Sequence, residues 1–240
     1  MPRREPAPQR VLLKINYDLK SSANVSRLCG IFIYLFKFSK MKEGYVVRDQ
    51  NLPHFLTCTV VDWVDVFTRK SYRDTVIECL DFCMKNKGMI LYSYVIMSNH
   101  IHLIIQSKDG KLSDLVRDFK KYTAKTILEK IQNELESRRE WMLERFKLAA
   151  QSHSRNKNFQ FWQLGSHAEE IYSEKFMWTK INYIHFNPVR AGFVLKPQDY
   201  IYSSASNYIE NKGIVEVELA QIEIVDVLKS NSIINYNTYE

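Results

Sequence analysis

The chain has 240 residues, 45% of them apolar, which is enough to bury a sizeable core and fits one domain with appendages or two small domains. Lysine and arginine outnumber aspartate and glutamate by 34 to 27, a formal net charge of +7, which favours a polyanionic partner, nucleic acid first, although the same excess also serves solubility alone. Four cysteines, Cys29, Cys58, Cys79 and Cys83, are too few and too irregularly spaced for a disulfide framework or a paired CxxC zinc site, and the cytoplasm is the expected compartment.

Residues 1–40 open with a cluster of prolines and arginines and hold no sustained period, so they read as an N-terminal extension. Their one membrane-like stretch, Ile31–Phe38, falls well short of the roughly twenty apolar residues of a spanning helix, and the residues before it do not resemble a secretory signal. No membrane association is expected. Regular patterning begins at Met41, which places the main domain at residues 41–208 and a tail at residues 209–240.

Within the domain, Phe55–Val61 reads as a strand and Ser71–Lys87 as a helix, whose apolar spacing makes Cys79 and Cys83 core side chains. Strands Met89–Met97 and His100–Gln106 follow, joined by a tight Ser98-Asn99 turn. Ser113 is placed to cap a helix with the stripe Leu115, Val116, Phe119, Thr123, Thr126 and Ile127. A charged helical stretch then runs to about Ala150, with Glu134 and Arg138 as an exposed helical pair. After a polar loop, Phe159–Leu164 reads as one or two short strands, and a helix runs from about Ser173 toward Pro188. The order β-α-β-β-α-β-α predicts an α+β, ferredoxin-like antiparallel sheet with helices on one face, plus an added C-terminal helix.

Strand alternation in Tyr94-Val-Ile-Met-Ser-Asn-His-Ile-His-Leu-Ile-Ile-Gln106 puts His100 and His102 on one face and Ile101, Leu103 and Ile105 on the other. Two neutral imidazoles converging on one point suit several divalent transition ions, whereas two strand histidines beside a turn also occur with no such role. The HxHxDH pattern of a zinc hydrolase is strongly disfavoured, since Ile104 and Ile105 stand where its Asp and next His would be. In Lys180-Ile-Asn-Tyr-Ile-His-Phe-Asn-Pro-Val-Arg-Ala-Gly192, Tyr183 and Asn187 are four apart and share a helix face, where an amide oxygen stands beside a phenol. Pro188 predicts that this helix ends near Asn187, with Gly192 releasing the chain. By themselves these residues read more readily as a buried tyrosine and a helix-terminating asparagine than as a site.

Together, YVIMSNHIHLII, Phe161-Trp-Gln163, NYIHFNPVRAG and Tyr202-Ser-Ser-Ala205 resemble the REP-associated tyrosine transposases, members of the single-tyrosine HUH (IS200-like) transposase family, over residues 44–208. The resemblance implies that His100 and His102 are ligands of a divalent metal, Mg²⁺ or Mn²⁺, that Asn187 is the third ligand, and that Tyr183 is the nucleophile. It further implies a metal-dependent endonuclease and strand transferase acting on single-stranded or hairpin DNA, with a 5′-phosphotyrosine intermediate, as a monomer or homodimer. The better-known insertion-sequence members carry glutamine at the position of Asn187, and asparagine marks the REP-associated branch.

Arg117, Lys120, Lys121 and Lys125 on one predicted helix, together with Arg190, are candidates for contact with the DNA backbone, although a solvated helix face explains the first four as well. Tyr122 competes with Tyr183 as nucleophile but has Thr126, a poor ligand, one turn later. Trp162, Tyr200 and Tyr202 are aromatic enough to stack on bases, yet such residues near a sheet more often fill a core. The rival reading is a catalytically silent DNA- or RNA-binding protein derived from a transposase. An RNA-recognition module on the same sheet would show aromatic residues where the two histidines stand.

Overall fold

Alternation of apolar and polar residues gives the first strand, β1 (His54–Thr59), and the hairpin β2 (Met89–Ile96) and β3 (His100–Ser107). The computed structural model describes residues 47–152, 158–165 and 167–220. The chain divides into two units, Met1–Lys42 and Glu43–Glu240. The expected extension at 1–40, with Cys29 and Ile31–Phe38, lies outside the described residues, as do residues 221–240 of the expected tail.

With the fourth strand β4 (His167–Glu170), the sheet has the order β2-β3-β1-β4, and every pairing is antiparallel. That order is the ferredoxin-like one, as expected. The turn between β2 and β3 closes with Met97 N donating to His100 O at 2.9 Å, and the Ser98 and Asn99 carbonyls accept from Phe67 N and Val60 N. The turn is thereby fixed to the segment that follows β1.

Helix α1 (Lys70–Asn86) buries Tyr72, Thr75, Val76, Cys79, Leu80 and Cys83, a helical period that drives it onto the sheet. Helix α2 (Leu112–Asn133) does the same with Leu112, Leu115, Phe119, Thr123, Ile127 and Ile131. Both pack with Leu56, Cys58, Leu91, Ile101, Leu103 and Ile105 of the strands into the larger core. Ser113 does not cap α2: its backbone N–H donates to the Gln50 side chain, while Ser107 Oγ accepts from Lys111 N. The expected continuous helix to Ala150 is instead broken. Glu134 takes an extended conformation and α3 (Arg139–Gln151) starts afresh. Between them Glu136 is captured by Arg69, Tyr72 and Arg138, so the Glu134–Arg138 helical pair does not form.

The opposite face of the sheet carries the added helix α4 (Glu174–Arg190), whose Ile181 and Ile184 pack on Phe55, Val95 and Ile104 in a second, smaller core. Ser173 caps it, its side chain accepting from Phe176 N. The helix does not stop before Pro188 as expected. It continues to Arg190, because the proline, which is buried, removes only one N–H, and the turn beyond is held by Ala191 N to Asn187 O and Phe193 N to Pro188 O. Gly192, at φ +75°, then releases the chain.

Phe159–Leu164 forms no named strand. It contributes one bridge, Val60 to Trp162, and the sheet's fourth strand lies just after it, at His167–Glu170. Past α4, the segment through the short helix α5 (Ala205–Glu210) runs along β2: Ile96 N donates to Tyr202 O, Ser204 N to Tyr94 O and Glu218 N to Leu91 O.

Candidate active site

The face of the sheet under α4 holds His100 and His102 of β3, Phe55, Thr57 and Thr59 of β1, and His167 and Glu169 of β4. Pairing puts Thr59 opposite His100 and Thr57 opposite both His102 and His167. The two metal-candidate imidazoles lie 4.8 Å apart, centroid to centroid. Tyr183 of α4 brings its ring to 5.2 Å from His102 and 5.8 Å from Phe55, while 41% of its surface remains open. The fold thus brings Tyr183 onto the histidine pair from more than eighty positions away along the chain.

Each histidine is held through Nδ1. His102 Nδ1 meets the Thr57 hydroxyl at 2.9 Å, and His100 Nδ1 donates to the side-chain oxygen of Asn99 at 2.7 Å. His100 Nδ1, donating to an amide oxygen, leaves its lone pair on Nε2, whereas the Thr57 hydroxyl can accept from or donate to His102 Nδ1. His102 Nε2 is buried and has no hydrogen-bond partner among the described residues. Burial keeps both rings neutral. It lowers the His100 pKa, and it pushes that of His102 down to about 3, with the charges of His100, Lys180 and His167 adding to the effect. Two neutral imidazoles held in place, one with a buried Nε2 that has no partner among the described residues, fit a divalent metal.

No three His, Cys, Asp or Glu side chains converge as a metal site among the described residues. A third protein donor must then be of another kind. Asn187, half-buried one turn after Tyr183 on α4, supplies an amide. The last turn also presents Arg190, whose guanidinium lies 5.7 Å from the Tyr183 ring centre.

Two features of this face escaped the sequence. Glu169 of β4 binds both His167 and Lys180, and Lys180 lies 4.4 Å over the Phe55 ring, so α4 is clamped to the sheet edge one turn before Tyr183. A half-polar strand of four residues gives no periodic signal by which to find it. The second is Trp63, 60% exposed in the turn after β1. Its backbone and that of Asp62 both adopt left-handed conformations, at φ 55° and 52°, each costing on the order of 1–3 kcal/mol.

The remaining candidates lie elsewhere. Arg117, Lys120, Lys121 and Lys125 sit on α2, across the sheet from Tyr183. Arg117 pairs with Asp114 and Asp118, Lys125 with Glu129 at 3.9 Å, and Lys120 Nζ reaches Gln163 O. Tyr122 is exposed on the same helix, with neither histidine of the pair on its side of the sheet. Trp162 and Tyr202 are buried, with Trp162 Nε1 donating to Lys120 O and Tyr202 OH to Asp74, so both are structural. Tyr200 is half-buried, and its hydroxyl donates to Ile96 O.

Residues 53–158 match the family described as "Transposase IS200 like". The match spans 106 of the 240 residues. The matched segment contains His100 and His102 and ends before α4, so Tyr183 and Asn187 lie beyond it. No curated protein matches the chain. Among solved structures, it is similar to a REP-associated tyrosine transposase bound to a REP hairpin, at 16% identity over 78% of this chain and 99% of that one, with a TM-score of 0.46. It is also similar to a chain from Deinococcus radiodurans R1 described as a candidate transposase, at 16% identity over 60% and 95%, with a TM-score of 0.34. No helix among the described residues is long and apolar enough to cross a membrane.

Proposed function

We propose that this IS200-like protein, of the REP-associated branch, is a metal-dependent single-stranded DNA endonuclease and strand transferase that acts beside DNA hairpins, with Tyr183 as nucleophile. The observation that carries the reading is the orphaned, buried Nε2 of His102 within ring contact of a tyrosine that stays open to substrate. His185 of α4 also buries a ring nitrogen, Nδ1, without a partner among the described residues, so it is the pairing of the orphaned Nε2 with His100 and an open tyrosine that supports the reading.

His100, His102 and Asn187 would hold Mg²⁺ or Mn²⁺, which when bound supplies charge stabilisation at a nonbridging phosphate oxygen. The chain's own residues do the rest. Thr57 and Asn99 keep the rings in the orientation that leaves Nε2 available. Lys180, through Glu169, sets the height of α4 over the sheet, so that the phenol projects beside His102. Arg190 adds positive charge on the open side of the phenol. Tyr183 Oη then forms a bond to phosphorus as the bond to the 3′-oxygen breaks. The phenolic proton leaves to solvent, and the products are a 5′-phosphotyrosine and a 3′-hydroxyl, which keeps the bond energy for rejoining.

The test is incubation of the full chain with single-stranded DNA from the flanks of its own gene, with and without Mg²⁺, followed by denaturing electrophoresis. A covalent adduct that needs the metal and vanishes in Tyr183→Phe is expected. DNA binding with no adduct under any condition would leave a silent binding protein, and adduct loss in Tyr122→Phe but not in Tyr183→Phe would move the nucleophile to α2.

A further inference from the structure

Trp63 presents more than half of its surface to water in a chain that buries Trp162, and it does so beside the histidine pair. Its ring meets His100 edge-on at 6.2 Å between centroids. The turn that carries it, the 3-10 turn Val61–Trp63, is fixed on both sides by the buried residues Val60, Val61 and Val64. Val61 N donates to Phe161 O, Trp63 N to Val60 O and Val64 N to Val61 O. The left-handed backbone at two consecutive residues is therefore held rigidly, and its outcome is an indole projecting outward.

One side chain joins this turn to the site. Asn99 accepts from His100 Nδ1 through its oxygen and donates through Nδ2 to Trp63 O at 3.4 Å. The same amide that sets the orientation of a candidate ligand also sets the position of the indole. Exposed tryptophan is the side chain best suited to stack on an unpaired base without reading its identity.

We propose that Trp63 is a stacking platform for the base of a nucleotide adjoining the scissile phosphate, and that Asn99 keeps the platform in register with His100. The occupant is single-stranded DNA, in which the base is free to leave its own stack. In duplex DNA the base is held in its pair, so the contact also favours single strands. The inference rests on the functional reading above, since it takes the bound phosphate to lie at the histidine pair.

The experiment uses the full chain and the same single-stranded DNA, with the fluorescent base 2-aminopurine placed at one position at a time around the cleavage site. Wild type is expected to quench strongly at one position adjoining the scissile phosphate. Trp63→Ala should lose that quench and weaken binding by about 5- to 150-fold, with the loss falling on KM more than on kcat. Trp63→Phe, which keeps a ring, should recover most of both. Equal quenching at all positions, or wild-type affinity and quenching in Trp63→Ala, would overturn the proposal. Absence of any Tyr183 adduct in wild type would sink the strand-transfer reading instead. A single quenched position lost in Trp63→Ala would still establish the platform.

Discussion

The two faces of the sheet are built to different rules. The face under α1 and α2 is mainly apolar, from Leu56 to Ile105, with His54, Tyr94 and Ser107 as its buried polar exceptions, and it packs with its partner helices into the larger core. The face under α4 has a smaller apolar patch beside two imidazoles, a threonine, a carboxylate and a lysine, and it leaves polar atoms such as His102 Nε2 buried without a partner. A folded chain tolerates such atoms where the stability comes from elsewhere. The first face supplies most of the buried apolar surface and the second carries the candidate site, so substitutions on the two should fail in different ways.

The largest effect is expected on the apolar face. Phe119→Ala removes a fully buried ring from α2 and should destabilise the protein by about 3–5 kcal/mol, read from denaturant melts. Cleavage per folded molecule should survive. If the rate fell while stability held, the division between the faces would be wrong. On the other face, His102→Ala should reduce metal-dependent adduct formation on the order of 10²-fold or more with Tyr183 still in place. Because the ring it removes is buried against Phe55 and bonded to Thr57, melting is measured alongside and the adduct is scored per folded molecule.

Acid should strike the second face first. His102 and His185 both have pKa values pushed down to about 3 by burial, whereas an exposed histidine in the unfolded chain titrates near 6.5. Below about pH 6.5 the unfolded chain takes up protons that the folded one refuses, so stability is fully present above that value and declines as pH falls toward 3. The slope should approach about 1.4 kcal/mol per pH unit for each histidine. Denaturant melts at pH 7.5 and pH 5 measure it, and His185→Gln should remove one histidine's share. A flat profile would contradict the neutral state assigned to both rings.

The smallest effect separates the two basic regions. Arg190→Ala, beside Tyr183, should weaken single-stranded DNA binding and lower its salt dependence by about one counterion. Arg117→Ala should do less, because that guanidinium already pairs with Asp114 and Asp118 and lies across the sheet. The reverse ranking would show that the DNA path wraps around the edge onto α2.

Much of this was legible in the sequence. The hairpin, the strand alternation of His100 and His102, and the helical register of Tyr183 with Asn187 all rest on local periods of two and 3.6 residues. The parts that were not legible depend on distant partners. Strand β4 is four residues, Ala168 among polar neighbours, and exists because β1 offers it a ladder. The break between α2 and α3 follows from Glu136 meeting Arg69 and Tyr72, more than sixty positions away. Pro188 stops a helix in isolation, but here it is buried in packing that keeps the turn helical. The role of Trp63 was hidden because an isolated tryptophan after a strand gives no sign of whether it will be covered.

The segment that runs along β2 after α4 has a consequence for solubility. In the order β2-β3-β1-β4 the two outer strands would each offer a row of free N–H and C=O groups to any extended chain, a template for edge-to-edge aggregation. Strand β4 is short and carries Glu169 and Glu170, which repel such an approach. Strand β2, with eight residues of which all but Ser93 are apolar, has no such defence of its own. Bonds from Ile96 N to Tyr202 O, Ser204 N to Tyr94 O and Glu218 N to Leu91 O occupy that edge, so the stretch from Tyr202 to Glu218 works as a strand guard, and through Ser204 and Tyr208 it also braces His185 of α4.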